Sequence, residues 1–310
     1  MKKLAILIIV VLIIFSASAC ETTEKIDDFP LRPAQLVVNC LFTNDSTWDF
    51  QVSRSLSTLD NADLPLVDDA TIILYRDNTV IDTIAAPDGD GYYHSITEAP
   101  QTGRTYSIQA FSPTIGDTIT ASDYLPTLIE VEKVDVMIKD SAFYKRYYDE
   151  EEIESGWYEG SFFITFSDPP EERNYYKVCL YVEDRYFDYD DSVYKYYFEK
   201  LFFSSTDPVA SAEASSNLAF SDEIINGLTY RLKIDIDNHG SIKGEKYIAE
   251  IVTMSEAAYL YENTVNIFYE SVRDPFSEPV IVYDNIENGY GIFAGQQSSS
   301  FEFIPIPLNE

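Results

Sequence analysis

Arg104-Thr105-Tyr106-Ser107-Ile108-Gln109-Ala110-Phe111 alternates apolar and polar side chains along a full strand's length. Successive residues of a strand point to opposite faces, so this stretch is a strand with one face turned to a core. The same reading extends outward from it. Ala70-Thr71-Ile72-Ile73-Leu74-Tyr75 is rich in β-branched residues, and Leu36-Val37-Val38-Asn39-Cys40-Leu41-Phe42 is a short apolar run. Asp88-Gly89-Asp90-Gly91 is a turn signal, followed by Gly91-Tyr92-Tyr93-His94-Ser95-Ile96. Short strands with turn signals about every 8–12 residues describe an antiparallel sandwich. Residues 34–127 have the size of one immunoglobulin-like domain, closed by Pro126.

From Thr127 to Asp140 another strand leads into a second domain, 128–310. Ser141 to Gly160 is acidic and tyrosine-rich around Asp149-Glu150-Glu151-Glu152, and reads as a long exposed loop or insertion. Strands resume at Ser161–Phe166, which Asp168-Pro169-Pro170 stops, and at Tyr175–Val182. Asn226-Gly227, between Phe220–Ile225 and Leu228–Ile236, is a hairpin signal. Lys246 to Val252 suits a strand. Thr253-x-x-Glu256 then resembles a capping box. Met254, Ala258, Tyr261, Val265, Phe268 and Val272 form one apolar stripe, so a helix over about 254–272 is expected, packed on the sheet and stopped at Asp274-Pro275. Phe301-Glu302-Phe303-Ile304-Pro305 reads as the last strand. The fold class expected is therefore mostly β, an immunoglobulin-like sandwich followed by a second antiparallel β domain with one main helix.

The amino terminus is of another kind. Met1-Lys2-Lys3 precedes an unbroken apolar run from Leu4 to Phe15, then Ser16-Ala17-Ser18-Ala19 and Cys20. A basic start, a short apolar stretch and small residues make a secretory signal peptide, residues 1–19. A cysteine directly after Ala-Ser-Ala is the lipobox arrangement of bacterial lipoproteins, so Cys20 is expected to be lipidated and to hold the chain to a bilayer through its acyl groups. Residues 20–33 form the lipidated cysteine and its tether. The acidic residues in Glu21-Thr22-Thr23-Glu24-Lys25-Ile26-Asp27-Asp28 resemble a surface-export signal, which favours display outside the outer membrane over the periplasmic side.

The formal charge is −32 and becomes −34 when Lys2 and Lys3 leave with the signal peptide. Such acidity argues against nucleic acid as a partner and against direct adhesion to anionic lipid heads. The two remaining cysteines, Cys40 and Cys179, each lie in a strand pattern, and read as buried free thiols rather than a disulfide.

Catalytic chemistry finds little support. Of the two histidines, His94 lies in a strand pattern and His239 in the loop-like Asp237-Asn238-His239-Gly240-Ser241. A nucleophile needs an activating base, and no nucleophile elbow or paired-histidine zinc motif occurs. Gly289-x-Gly291-x-x-Ala294 matches the dinucleotide fingerprint in letters only, since Gln296-Gln297-Ser298-Ser299-Ser300 follows where a helix is required. These glycines suit a tight turn and close strand packing. The expectation is a protein that is not an enzyme, with no catalytic residues, cofactor or metal. Asp184-Arg185-Tyr186-Phe187-Asp188-Tyr189-Asp190-Asp191 lacks the ordered spacing of a calcium loop. Tyr186, Tyr189 and Tyr197, in the aromatic-rich region 181–203, are the candidate residues for binding a glycan, a peptide or a protein partner. The alternation Tyr194, Tyr196, Phe198 against Lys195, Tyr197, Glu199 predicts a strand with one buried face.

The closing segments Asp274-Pro275-Phe276-Ser277-Glu278-Pro279 and Asn285-Ile286-Glu287-Asn288-Gly289-Tyr290-Gly291-Ile292-Phe293-Ala294-Gly295 resemble the tail signature of the Bacteroidetes lipoprotein family of domain of unknown function 4249. The Val67-Asp68-Asp69-Ala70-Thr71-Ile72 strand and the helix ahead of Asp274 are similar to that family's as well. Cys40 stands where a glycine is more usual in it. The resemblance implies no catalytic residues. It implies an outer-membrane accessory lipoprotein beside a TonB-dependent transporter, in nutrient uptake. The alternative is a stand-alone glycan-binding or adhesive surface lipoprotein; a cryptic hydrolase ranks below both.

Overall fold

The computed structural model describes residues 33–304, other than 46, 58–62, 89–90, 149–150, 171, 189–190, 192, 239–245 and 274–275. The expected mostly-β fold is found: three sheets and one described helix. The signal peptide, Cys20 and the tether lie outside the described residues.

The first sandwich follows from the alternation read above. Strands β1 (Leu36–Phe42), β2 (Trp48–Arg54) and β5 (Tyr92–Ser95) lie in one sheet. Strands β3 (Thr71–Arg76), β4 (Thr79–Ile84), β6 (Thr105–Phe111) and β7 (Thr118–Tyr124) form the other, in the order β4-β3-β6-β7. Tyr106, Ile108 and Ala110 are buried against Leu36, Val38, Phe42, Trp48, Phe50 and Val52. Cys40 joins this core as a free thiol, and burial pushes its pKa up. Trp48 and Phe50 stack at 6.3 Å between ring centroids.

What completes this sandwich comes from the far end of the chain. Strand β17 (Tyr290–Phe303) lies parallel to β1 over Val37↔Tyr290 to Phe42↔Gly295. Its Phe293 ring reaches the Phe42 ring at 4.8 Å and is fully buried. Ile286, just upstream, joins the same core. The Asn285 amide brackets Phe293, donating to its carbonyl at 2.8 Å and accepting from its amide at 2.9 Å. The tail signature is thus a packing device: Asn285 sets the chain, Phe293 plugs the core, and Gly289, Gly291 and Gly295 admit close backbone approach.

The second half of β17 builds the second sandwich. Gln296 to Phe303 pairs antiparallel with β16 (Tyr247–Met254), which pairs with β10 (Tyr175–Asp188). β11 (Val193–Lys200) and β14 (Leu218–Ser221) both pair with β10. One eight-stranded sheet therefore runs through both sandwiches, across the expected 127/128 boundary. The opposing sheet contains β8 (Lys133–Tyr148), β9 (Glu151–Ser167), β12 (Phe203–Thr206), β13 (Ser211–Ser215) and β15 (Thr229–Asn238). Phe162, Ile164, Phe166, Leu232 and Ile234 from that sheet meet Tyr176, Val178, Leu180, Tyr247 and Ile251 in a second core. Cys179, one residue off this face, is also a buried free thiol.

Several expectations need correction. Residues 141–160 are no loop: β8 and β9 pair from Lys133↔Thr165 to Tyr148↔Glu151. Acidity suggested solvent, yet the acidic run lies between aromatic-rich stretches, Phe143 to Tyr148 and Trp157-Tyr158, of the kind that strands favour. Asn226-Gly227 does form a turn, with Gly227 at φ +74°, but it joins strands of different sheets, since β14 pairs with β10 and β15 with β9. Both flanking segments bury apolar faces in the same core from opposite sides, which local pattern cannot distinguish from a hairpin. The last strand starts at Tyr290 rather than Phe301, because its polar centre is paired on β16.

The helix, α1 (Glu256–Arg273), starts two residues later than expected. Its cap is Ser255, whose Oγ accepts the Ala258 amide at 3.2 Å. Thr253 and Met254 still belong to β16, and the Thr253 hydroxyl accepts the Ile129 amide instead. Ala257 and Ala258 pack on Val252, Met254, Ile292 and Ala294. The stripe is core only in this first half. Phe268 and Val272, with Ile267 and Tyr269, are exposed.

The seam between the sandwiches is polar. Fully buried Gln297 donates to Thr102 Oγ1 at 2.9 Å and to the Pro126 carbonyl. The Asp123 carboxylate accepts from the Gly295 amide at 2.9 Å and from Ser255 Oγ. Burial raises the Asp123 pKa to about 6, against those two hydrogen bonds. A carboxyl whose pKa rises on folding adds stability that is complete below its unfolded value, near about 4, and is lost as pH climbs through the folded value. The seam is therefore expected to weaken between about pH 4 and pH 7. Asp123→Asn should flatten that decline, by on the order of 1–3 kcal/mol, in urea titrations at stepped pH. Parallel curves for the two proteins would refute it.

Candidate interaction site

The second sandwich sends out two strand pairs beyond its sheets. β16 covers β10 from Tyr175 to Val182, the Lys246 carbonyl still takes the Glu183 amide, and Asp184 to Asp188 pair with β11 alone. Those five residues extend about 17 Å at a strand's rise. β15 likewise covers β9 only as far as Tyr158, while β8 and β9 continue to Tyr148↔Glu151. The ribbons start where β15 and β16 stop pairing, at Asn238↔Tyr158 and Tyr247↔Val182.

The β10–β11 hairpin carries exposed aromatics. Tyr196 is 62% exposed, Tyr197 42%, Phe198 41% and nearby Phe202 69%. The expected strand is present, but its expected buried face is not, because Tyr196 and Phe198 on one face and Tyr197 on the other are all open to solvent. β11 is the edge strand of its sheet, and its exposures show that neither face is covered at Tyr196 to Phe198. The Tyr197 hydroxyl donates to Asp184 at 2.8 Å, and this bond pushes its pKa above the usual range. Lys195 pairs with Asp191 at 2.7 Å and with Asp188. Charge and hydrogen bonding thus hold the ribbon while its rings face outward.

Of the candidate residues, Tyr197 lies on this surface. Tyr186 occupies the β10 position opposite Lys195, and Tyr189 and Cys20 fall outside the described residues. Tyr196, Phe198 and Phe202 were missed. The sequence signal was there: Tyr197 interrupts the polar parity of Lys195 and Glu199, so aromatics stand on both faces of one short strand.

A concavity lies on the first sandwich. Tyr75, Asn78, Ser107, Gln109, Thr120, Ser122 and Glu287 line a groove of about 500 Å³ on the outer face of β3, β6 and β7. The segment ahead of β17 forms its wall, with the Thr120 amide and the Glu287 carbonyl 3.3 Å apart.

Catalytic groupings do not assemble around the histidine that is described. His94 Nδ1 meets Asp49 Oδ1 at 2.6 Å on the open face of β5 and β2, beside the Tyr92 ring. His239 and Ser241 lie outside the described residues. Among the described residues no three histidine, cysteine or acidic side chains converge as a metal site, and Asp188 and Asp191 both face Lys195. Asp168 and Asp222 are buried in hydrogen bonds to loop backbone and to Tyr176.

These features define a double β-sandwich protein built on one shared sheet, with an aromatic ribbon at one end. The chain belongs to the family described as domain of unknown function (DUF4249), whose model matches residues 21–302. No curated protein matches it.

Proposed function

We propose that the protein is a non-enzymatic, lipid-anchored lipoprotein of the outer membrane, displayed at the cell surface and accessory to a TonB-dependent transporter in nutrient uptake. The observation that carries a binding role is the β10–β11 ribbon, which holds Tyr196, Tyr197, Phe198 and Phe202 in solvent on a paired, salt-bridged scaffold. Large exposed aromatics on a rigid support are the usual anchors of a protein interface. The signal-like residues 1–19 with Cys20 directly after Ala17-Ser18-Ala19 support the anchor.

Affinity purification from detergent-solubilised membranes tests the partner. Wild type is expected to bring down a transporter, and Tyr196→Ala/Phe198→Ala to recover at least about fivefold less, given the energies of aromatic anchors. Equal recovery, or no transporter with wild type, counts against the reading. Labelled palmitate is expected to enter wild type and not Cys20→Ala, and equal labelling would remove the anchor.

The groove on the first sandwich favours a second reading, a glycan-binding surface lipoprotein acting alone. Its lining of hydroxyl, amide and carboxylate groups around Tyr75 suits a polyhydroxylated ligand. Saturable oligosaccharide binding abolished by Tyr75→Ala, with transporter recovery unaffected, would select that reading.

A further inference from the structure

We propose that the outer edge of β11 pairs with the same edge of a second copy of this chain, antiparallel and centred on Tyr197. Among the described residues, no strand pairs with that edge. An unpaired edge is a template for strand addition, and natural edges are usually blunted by charge, proline or a bulge. Val193-Tyr194-Lys195-Tyr196-Tyr197-Phe198-Glu199-Lys200 has no proline and its register with β10 is unbroken; it does carry Lys195, Glu199 and Lys200, charges that bar most partners but are of both signs.

The backbone selects which residues are available. The Leu201 amide donates to the Leu180 carbonyl at 2.8 Å, and the Glu183 amide turns the other way, to the Lys246 carbonyl. Hydrogen-bonded and non-bonded pairs alternate along an antiparallel ladder. Lys195, Tyr197 and Glu199 therefore turn their amides and carbonyls toward β10. Tyr194, Tyr196, Phe198 and Lys200 turn theirs to the open edge.

A two-fold axis at Tyr197 matches these groups to themselves. It sets Tyr196 opposite Phe198 and Tyr194 opposite Lys200 as hydrogen-bonded pairs, using only outward-turned residues. Lys195 then faces Glu199 twice, in the closer non-bonded pairs where opposite charges help most. Tyr196–Phe198 pairs line one face, and Tyr197 meets its own copy on the other. Sliding by two residues sets Lys195 opposite Tyr197 or Leu201, and a slide by four in one direction sets Lys195 against itself. Charge thus favours the centred register among those the backbone permits. Such an interface is isologous and closes at two copies.

The test uses the full chain in expressing cells, with mild oxidation and non-reducing gels. Tyr197→Cys is expected to give a disulfide-linked homodimer, while wild type and Val80→Cys, on the exposed edge of the other sheet, do not. In the Tyr197→Cys background, Glu199→Lys should cut the dimer by about fivefold or more, because two attractive cross-strand pairs become repulsive. Glu199→Cys in place of Tyr197→Cys should link at least about fivefold less, because only the residue on the axis meets its own copy. Absence of the dimer, a cross-link to a different protein only, or insensitivity to the charge change would each overturn the proposal. Equal linking through position 199 would overturn the register.

Discussion

Gly291→Ala is expected to destabilise the protein by about 4 kcal/mol or more, a large part of a domain's usual margin of about 5–15 kcal/mol. Gly291 sits at φ +116°, where an L side chain is strained. More decisively, a Cβ there would lie 2.1 Å from the Val38 carbonyl oxygen. That oxygen is backbone of the neighbouring strand, Val38 being the register partner of Gly291, so it cannot rotate aside. Relief requires β17 to part from β1, which withdraws Phe293 from the first core. Gly103→Ala is the matching control: its φ is +72°, yet nothing lies within 4 Å of the added carbon. It should cost only about 1 kcal/mol, the strain of the backbone alone. Urea denaturation of the two variants decides the matter, and equal midpoints would show that close strand approach is not what the glycine serves.

Residues 34–127 expressed alone are expected not to fold cooperatively, although they match one immunoglobulin-like domain in length. The isolated segment lacks Phe293 and Ile286, both buried in its core. Emptying a buried phenylalanine site costs about 3–5 kcal/mol, and an isoleucine site about 2–5 kcal/mol. The cavity would open between Phe42, Trp48 and Phe50, whose rings lie 4.8, 6.3 and 6.4 Å from that of Phe293. β1 would also become an edge along Val37 to Phe42, where β17 now pairs. These losses match the whole stability expected of a domain this size. Joining residues 284–304 to the segment through a flexible linker is expected to restore a sharp thermal transition. A sharp transition of 34–127 alone, unchanged by the added strand, would mean that the sandwich is self-sufficient.

Both expectations concern the tail signature, and they explain why it was legible as a motif but not as a site. Asn285, Gly289, Gly291 and Phe293 carry a specific pattern because each answers a steric demand made by β1 or by Phe293's own backbone. The candidate site shows the reverse. Tyr197 could be chosen from the sequence by its aromatic neighbourhood, but its surroundings could not. Whether an alternating strand buries a face depends on what lies across from it, and around Tyr196 to Phe198 both faces of β11 are open to solvent. The helix errs for the same reason: Phe268 and Val272 have the spacing of a core stripe, yet α1 continues past the surface its first turns cover.

By itself the sequence determined the strands whose period-two pattern was unbroken, the stop at Asp168-Pro169-Pro170, and the helix ahead of Asp274, because these depend on neighbours within a few residues. Only the tertiary structure decided that Phe220 and Leu232 face each other from two sheets, and that residues 141–160 continue as a strand pair. It alone decided that one strand, Tyr290–Phe303, serves two cores in succession. The physical reason is that pairing between strands more than two hundred residues apart leaves no periodic trace in either; it is settled by which buried faces and backbone edges remain to be satisfied once the local elements have formed.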